Sequence, residues 1–283
     1  MLCTSASEGV GEHVLSTWFL RDFAGEGPFT TTKADTPYTT RAGNAEHPTL
    51  SGVHVPMCQT HNSVLNRTIE EPAKPIIRML FADGADTAWP RLDAEQARSL
   101  GKWLIKVGVL WAHPESSHDH PGVDRDDSRS RLDSITPEWL SWMVEETEPP
   151  DAFSVYVQRQ PVRDDEPVEV IPPQHVHLPG EVVVDHARHQ FAARAFGLRS
   201  LRVTIVWHPG WPINHPLITY GKAVRLWPNT TGAELGSLPV ISPKAVEFVV
   251  VPGSVQTSGA DYALLAPTHP LGANPLPSLW DFA

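Results

Sequence analysis

The chain has 283 residues, enough for one large domain or two ordinary ones, and its composition excludes several classes of protein. Two cysteines are too few for a secreted scaffold held by disulfides, and no apolar run approaches the ~20 residues that cross a bilayer. The net charge of −11 argues against general binding to phosphate backbones, and the first residues lack the pattern of a signal peptide. We therefore expect a cytoplasmic protein with no membrane partner.

Residues 1–112 are expected to combine a loop-rich segment with helices. Residues 25–49 are polar and rich in Gly, Thr and Pro, which is typical of loops. From Asn62 onward, apolar residues recur with a period of about 3.6, which predicts a helix that Pro72 and Pro75 should kink or interrupt. A second helix with a wide apolar face is predicted to begin near Asp93, a residue type favoured at helix N-caps.

Residues 113–134 are acidic and have no apolar periodicity, so they predict a flexible loop before a β-rich region of residues 135–283. A short helix should begin at Thr136 and Pro137, an N-cap and N1 pair. A further helix is predicted over residues 185–196. Six runs dense in β-branched and aromatic residues predict strands at 153–158, 168–171, 181–184, 201–207, 223–227 and 246–251. The predicted fold class is α+β, with a mostly antiparallel C-terminal sheet.

Three separate fragments carry side chains suited to metal chemistry. They are Cys3, the run Glu12-His13-Val14, and the run Cys58-Gln59-Thr60-His61-Asn62. The Cys-x-x-His spacing can place a thiolate and an imidazole on one tight turn, as in a zinc knuckle, and Cys3 would be a third ligand. The alternative is that no metal binds, and that Trp18-Phe19-Leu20 holds the N-terminal segment by packing on the first predicted helix.

These motifs resemble HNH-type (ββα-metal) nuclease-related proteins, and more narrowly an uncharacterised bacterial group often labelled HNH endonuclease. The resemblance is carried by Glu12-His13-Val14 with Trp18-Phe19-Leu20, by Cys58-x-x-His61-Asn62, and by Ala73-Lys74-Pro75-Ile76-Ile77. It covers residues 3 to about 112 and continues more weakly at Arg225-Leu226-Trp227-Pro228. In that group Cys3 would be the second member of a cysteine pair whose first member precedes Met1. His61 replaces a fourth cysteine, and no residue matches the middle Asn of a standard HNH motif.

The resemblance implies a structural zinc ion bound by Cys3, Cys58 and His61. It also implies a nuclease site with Mg²⁺ or Mn²⁺, in which Glu12 is a ligand of that ion and His13 is the general base. Asn62 is implied as a further contributor to the same ion. The implied function is metal-dependent hydrolysis of DNA phosphodiesters, in which the cation stabilises the leaving oxygen while the imidazole takes a proton from water.

A second interpretation remains open. The chain would be a catalytically inactive module that keeps the knuckle as a structural element and binds protein or nucleic acid. The incomplete ligand set and the net negative charge favour this module, whereas the acid–histidine pair favours the enzyme. Arg67, Lys74 and Arg78 share one predicted helix, and the last two could follow one phosphate track, although a solvated face is the simpler explanation.

Three other groups have simple structural explanations. A segment with three histidines and several aspartates, from His113 to Asp127, could collect a divalent metal, but its composition favours a solvated loop. Asp185 and His189 would share one face of the predicted helix 185–196, where an N-cap role for the Asp is simpler. Most of the ten tryptophans lie at apolar spacing, which favours core packing over base stacking.

Overall fold

The computed structural model describes residues 11–24, 30–33, 36–39, 54–81, 89–112, 137–161, 170–171, 177–184, 187–210, 215–241, 248–249 and 266–267. The strands are β1 (Gly11–His13), β2 (Thr30–Lys33), β3 (Thr36–Thr39), β4 (His54–Pro56), β5 (Arg91–Leu92), β6 (Phe153–Arg159), β7 (Val170–Ile171), β8 (His177–Val184), β9 (Ala187–Leu198), β10 (Leu201–Trp207), β11 (Val224–Trp227), β12 (Ala233–Glu234), β13 (Phe248–Val249) and β14 (Ala266–Pro267). The α-helices are α1 (Thr17–Phe19), α2 (Gln59–Leu65), α3 (Glu71–Phe81), α4 (Ala94–Ala112), α5 (Pro137–Val144) and α6 (Pro216–Thr219), with π-helical turns at Leu20–Ala24 and Asn66–Glu70.

An antiparallel sheet dominates the C-terminal part, which confirms the predicted α+β class. Its strand order is β11-β6-β10-β9-β7, and β8 pairs with β9 as well. The predicted helix over residues 185–196 is wrong, because that stretch belongs largely to β9. The main chain of β9 pairs with β10 along residues 192–198 and with β8 along residues 187–193. The two ladders outweigh the weak helix preference of an alanine-rich run.

The predicted helix from Asn62 extends from α2 through a π-helical turn into α3. The prolines were expected to kink or interrupt the helix. The helix is irregular at the π-helical turn Asn66–Glu70, which lies directly before Glu71 and Pro72. Proline lacks the N–H that an α-helix uses, and a wide turn lets the chain continue without a break. Pro75 lies inside α3.

The second predicted helix, α4, begins as expected. The Asp93 carboxylate accepts a hydrogen bond from the Gln96 N–H at 2.8 Å, and the Asp93 N–H donates to the Gln96 side chain at 3.0 Å. This reciprocal pair is a capping box, and it satisfies two backbone donors that the helix start would otherwise leave without partners.

One cluster of buried apolar side chains includes residues from Val14 to Leu238 and so joins the helical part to the sheet. Helix α4 lies at this junction. A Cβ on Gly108 would meet Ile205 of β10, and one on Gly101 would meet the Leu226 main chain of β11. The predicted loop 113–134 lies outside the described residues, so the predicted boundaries at 112 and 135 stay predictions. In the part of the chain that the structure describes, no helix combines the length and apolar character needed to cross a bilayer.

Candidate functional site

Two short strands and a helix bring the predicted site segments together. β1 pairs with β4 in antiparallel register, with Glu12 opposite Val55 and His13 opposite His54. The chain then enters α2 directly after Cys58, the N-cap residue of that helix. The strand with the acid–histidine pair and the Cys-x-x-His turn therefore belong to one β-β-α unit.

The side chains of Cys58 and His61 are in contact at the start of α2, with Sγ and Nδ1 3.4 Å apart. Sulfur and nitrogen ligands on one tetrahedral zinc ion, at about 2.3 and 2.0–2.1 Å from it, lie about 3.6 Å apart. The pair therefore fits two positions of a zinc site, although the distance also suits a thiol–imidazole hydrogen bond. Cys3, the predicted third ligand, lies outside the described residues. Within the described residues, no three His, Cys, Asp or Glu side chains form a group able to hold a metal ion.

His13 and Asn62, predicted as base and metal contributor, lie in the same β-β-α unit. His13 is the last residue of β1, and its side chain is half-buried. Asn62 lies one turn into α2, where its N–H donates to the Cys58 carbonyl at 3.0 Å. The structure describes the positions of both residues, and the chemical roles stay predictions.

Glu12, Glu70 and Lys106 form a buried group of charges, the charge cluster, that joins β1 to the helices. The Lys106 ammonium, on α4, makes ion pairs with both carboxylates and lies 2.8 Å from the Glu70 Oε1. Lys106 is 0% exposed, and both glutamates are buried. The same ammonium donates to the carbonyl oxygens of His13, at 2.9 Å, and Val14, at 3.5 Å.

Glu70 receives additional hydrogen bonds from the segment that follows β1. The Ser16 hydroxyl donates to Glu70 Oε1, and the Trp18 indole N–H donates to Glu70 Oε2 at 3.2 Å. The Trp103 indole N–H donates in turn to the Ser16 hydroxyl at 3.4 Å. The Glu70 carboxylate thus has two neutral donors besides Lys106, which explains how it is tolerated in the core.

The two glutamates differ in their acidity. Burial raises the pKa of Glu12, and the nearby Glu70 charge adds to this effect, while Lys106 acts in the opposite direction. Burial also acts to raise the pKa of Glu70, but the Lys106 charge and the hydrogen bonds from Lys106, Ser16 and Trp18 outweigh it, so this pKa is lowered. Burial opposes the charge of Lys106, yet the two carboxylates raise its pKa. Glu12 is therefore the acid that protonates more readily.

The contact with Lys106 bears on the predicted metal role of Glu12. A Mg²⁺ or Mn²⁺ ion on this carboxylate would lie near a buried ammonium, and like charges repel strongly where water is excluded. Glu12 is thus a partner of Lys106 in the structure, and its role as a metal ligand stays a prediction that the contact disfavours.

Sequence reasoning missed Glu70 and Lys106. Both interrupt apolar helix faces: Glu70 adjoins Ile69 and lies three residues before Ala73, and Lys106 lies three residues after Trp103. A charge on an apolar stripe is rarely buried without a partner, so this pattern was a usable signal for an ion pair.

The cationic side chains of the predicted phosphate track are each in an ion pair. Arg67 contacts Glu146 at 2.8 Å, Lys74 contacts Glu71 at 2.9 Å, and Arg78 contacts Asp22. These acids neutralise the track, which favours the interpretation as a solvated helix face.

A second polar group lies on the sheet face opposite α4, as the alternation along β6 and β10 requires. The Ser154 hydroxyl is 2.8 Å from His208 Nε2, and the Gln158 amide is 2.6 Å from His215 Nε2. His215 Nδ1 accepts the Leu217 N–H at 3.0 Å and caps α6. Burial lowers the pKa of His215 to about 3, so the ring is neutral near pH 7.

The remaining candidate groups fall partly outside the described residues. The histidine and aspartate segment from His113 to Asp127 lies outside them, as do Asp185 and His186. His189 lies in β9, so the helix face proposed for it with Asp185 does not exist.

Comparison of the chain with protein-family models, with curated proteins and with solved structures gave no match.

Proposed function

We propose that the protein is an HNH-related nuclease of the ββα-metal type that hydrolyses phosphodiester bonds in DNA with the help of a divalent cation. The observation that supports this proposal is the β-β-α unit. In it the Glu12-His13 strand pairs with the strand that leads into the turn of Cys58 and His61. A structural knuckle alone has no use for the His13 imidazole on the neighbouring strand, whereas Glu12 already pairs with Lys106.

His13 is the general base in this proposal. Histidine is the side chain most often used as a general base, because a neutral imidazole nitrogen can take a proton from water. The half-buried position of His13 keeps the ring within reach of a substrate. When bound, a Mg²⁺ or Mn²⁺ ion would supply positive charge at the leaving oxygen, and the Asn62 amide would contribute to holding that ion. Cys58 and His61, with Cys3, would hold a structural zinc ion.

Nicking of supercoiled plasmid with Mg²⁺ or Mn²⁺ tests this proposal. His13→Ala should reduce the rate by about tenfold or more, because general base catalysis contributes about 10²–10⁴-fold. Gln59→Ala is the matched control: Gln59 is exposed, begins α2 and takes no part in the proposed chemistry. Equal nicking by His13→Ala and the parent would show that His13 is not the general base. Absence of nicking by the parent with either metal would contradict the proposal that the protein is a nuclease.

The alternative function is a catalytically inactive module that binds protein or nucleic acid. One observation favours it over the nuclease: Lys106 engages the Glu12 carboxylate, which the nuclease would use as a metal ligand. A purified chain that contains zinc but fails to nick plasmid would support this module over the nuclease.

A further inference from the structure

Lys106 connects the core helix α4 to the main chain of β1. Its ammonium contacts the Glu12 carboxylate, the His13 and Val14 carbonyl oxygens and the Glu70 carboxylate, and no part of the residue is exposed. One side chain therefore binds three consecutive residues around the proposed base.

β1 is a short strand, anchored in part by the buried Val14 and Leu15 that follow it. It has three residues and pairs with the three residues of β4, so its ladder contains few hydrogen bonds. Short two-stranded pairs are marginally stable in water without further packing. Helix α4, by contrast, has 19 residues and lies in the core. The hydrogen bond from Lys106 to the His13 carbonyl ties the end of the strand to this helix and restricts its movement.

We infer that Lys106 is a positioning residue: it holds the main chain at His13 and thereby sets the direction of the imidazole. The inference rests on the proposed function of His13 as a base. Lys106 acts through the strand and does not touch the reacting atoms. A residue with this role affects the turnover rate through the geometry of another group, whereas a merely structural ion pair affects the amount of folded protein.

The test compares Lys106→Met with Lys102→Met. Lys102 lies one turn earlier on α4 and pairs with Glu148 at 2.6 Å on the surface, so its variant removes the same charge from the same helix without touching β1. For folded protein, we expect Lys106→Met to lower kcat for plasmid nicking by about tenfold or more with little change in KM, since small displacements of a catalytic group cost up to about 10²-fold. Lys102→Met should leave both constants as in the parent.

Histidine side-chain NMR provides a readout that does not depend on nuclease activity. The imidazole signals of His13, assigned with His13→Ala, should shift or broaden in Lys106→Met, while those of His208 on the sheet stay unchanged. An unaltered His13 signal, or a kcat equal to that of the parent, would overturn the inference. A parent that nicks no DNA would overturn the proposed function, and the NMR result would still decide whether Lys106 positions His13.

A second variant covers the case in which Lys106→Met fails to fold. Lys106→Met combined with Glu70→Gln removes one positive and one negative charge, so the net charge of the charge cluster is unchanged while the contact to His13 is lost. The same fall in kcat and the same change in the His13 signal are expected. Their absence in the folded double variant would contradict the inference.

Discussion

The buried side chains of Glu12, Glu70 and His215 have specific partners or surroundings that determine the protonation state of each in the folded protein. Glu70 stays charged because Lys106, Ser16 and Trp18 all donate to it, whereas Glu12 has Lys106 as its neighbour and an elevated pKa. His215 shows the complementary case, since its ring must be neutral to accept the Leu217 N–H at the start of α6. Protonation state and local structure are therefore coupled at each of these positions.

The pKa of His215 predicts a pH dependence of stability. The folded-state pKa is about 3 and the ordinary value is 6.5, so the unfolded chain gains a proton first as the pH falls. The stabilising contribution of the neutral ring is complete above the ordinary pKa and is lost progressively as the pH falls towards the folded value. His215→Asn keeps a side-chain acceptor for the Leu217 N–H but does not titrate.

Urea unfolding of the parent and His215→Asn at pH 7 and pH 5 measures this effect. The free energy of unfolding of the variant, relative to that of the parent, should increase by about 2 kcal/mol from pH 7 to pH 5. A constant difference between the two proteins would show that His215 titrates normally in the folded state.

Patterns within one segment predicted the helices α3 and α4 well, whereas structure that depends on pairing between distant segments was not predicted. The start of α4 was predicted because Asp93 is a favoured N-cap residue next to the start of the apolar period, although its reciprocal contact with Gln96 was not. The β9 strand was missed because the sheet ladders of β8 and β10, and not its own composition, decide its conformation. The charge cluster was missed for the same reason: Lys106 lies 36 residues from Glu70 in sequence and meets it where the π-helical turn before α3 packs on α4.

The packing of α4 on the sheet predicts the effect of an added methyl group at Gly108. A Cβ at this position would lie 2.4 Å from Ile205 Cδ1, which is too close for any real contact. The clash is with the end of the Ile205 side chain, but Ile205 is buried in the core, which restricts its rotation away from the added methyl group. Overpacking of this kind costs about 1–3 kcal/mol, against a gain in helix propensity from Gly to Ala of about 1 kcal/mol. Gly108→Ala should therefore lower the free energy of unfolding in urea.

Ile205→Val is the compensating change, because valine lacks the Cδ1 atom. The double variant Gly108→Ala with Ile205→Val should be more stable than Gly108→Ala alone, while Ile205→Val by itself should cost about 0.5–1.5 kcal/mol. Additive effects of the two changes would mean that Gly108 and Ile205 are not in contact in the folded protein.

Across the whole molecule, the β-β-α unit and the C-terminal sheet share one core. Buried residues that follow β1, from Val14 onward, belong to the same apolar cluster as residues of α3, α4 and the sheet, and Lys106 on α4 binds β1 itself. Loss of a ligand or of bound zinc at the start of α2 should consequently lower the stability of the sheet as well as that of the β-β-α unit. The spacing of Cys58 and His61 predicts that they are zinc ligands, and this stays a prediction. The spacing could not predict the connection through Lys106, which depends on contacts between distant segments.

The predicted zinc ion tests this connection. Purified protein should contain about one zinc ion per chain, and Cys58→Ser and His61→Ala should each lower that content. The variant Ser63→Ala, at an exposed position of the same helix, should not.

Because zinc binding adds to folding free energy, a chelator should lower the unfolding temperature. The shared core predicts one cooperative transition at a lower midpoint, while separate transitions would show that the β-β-α unit folds independently of the sheet. Zinc content far below one per chain, equal in all variants, would mean that the contact between Cys58 and His61 is a hydrogen bond and would remove the metal from the proposal.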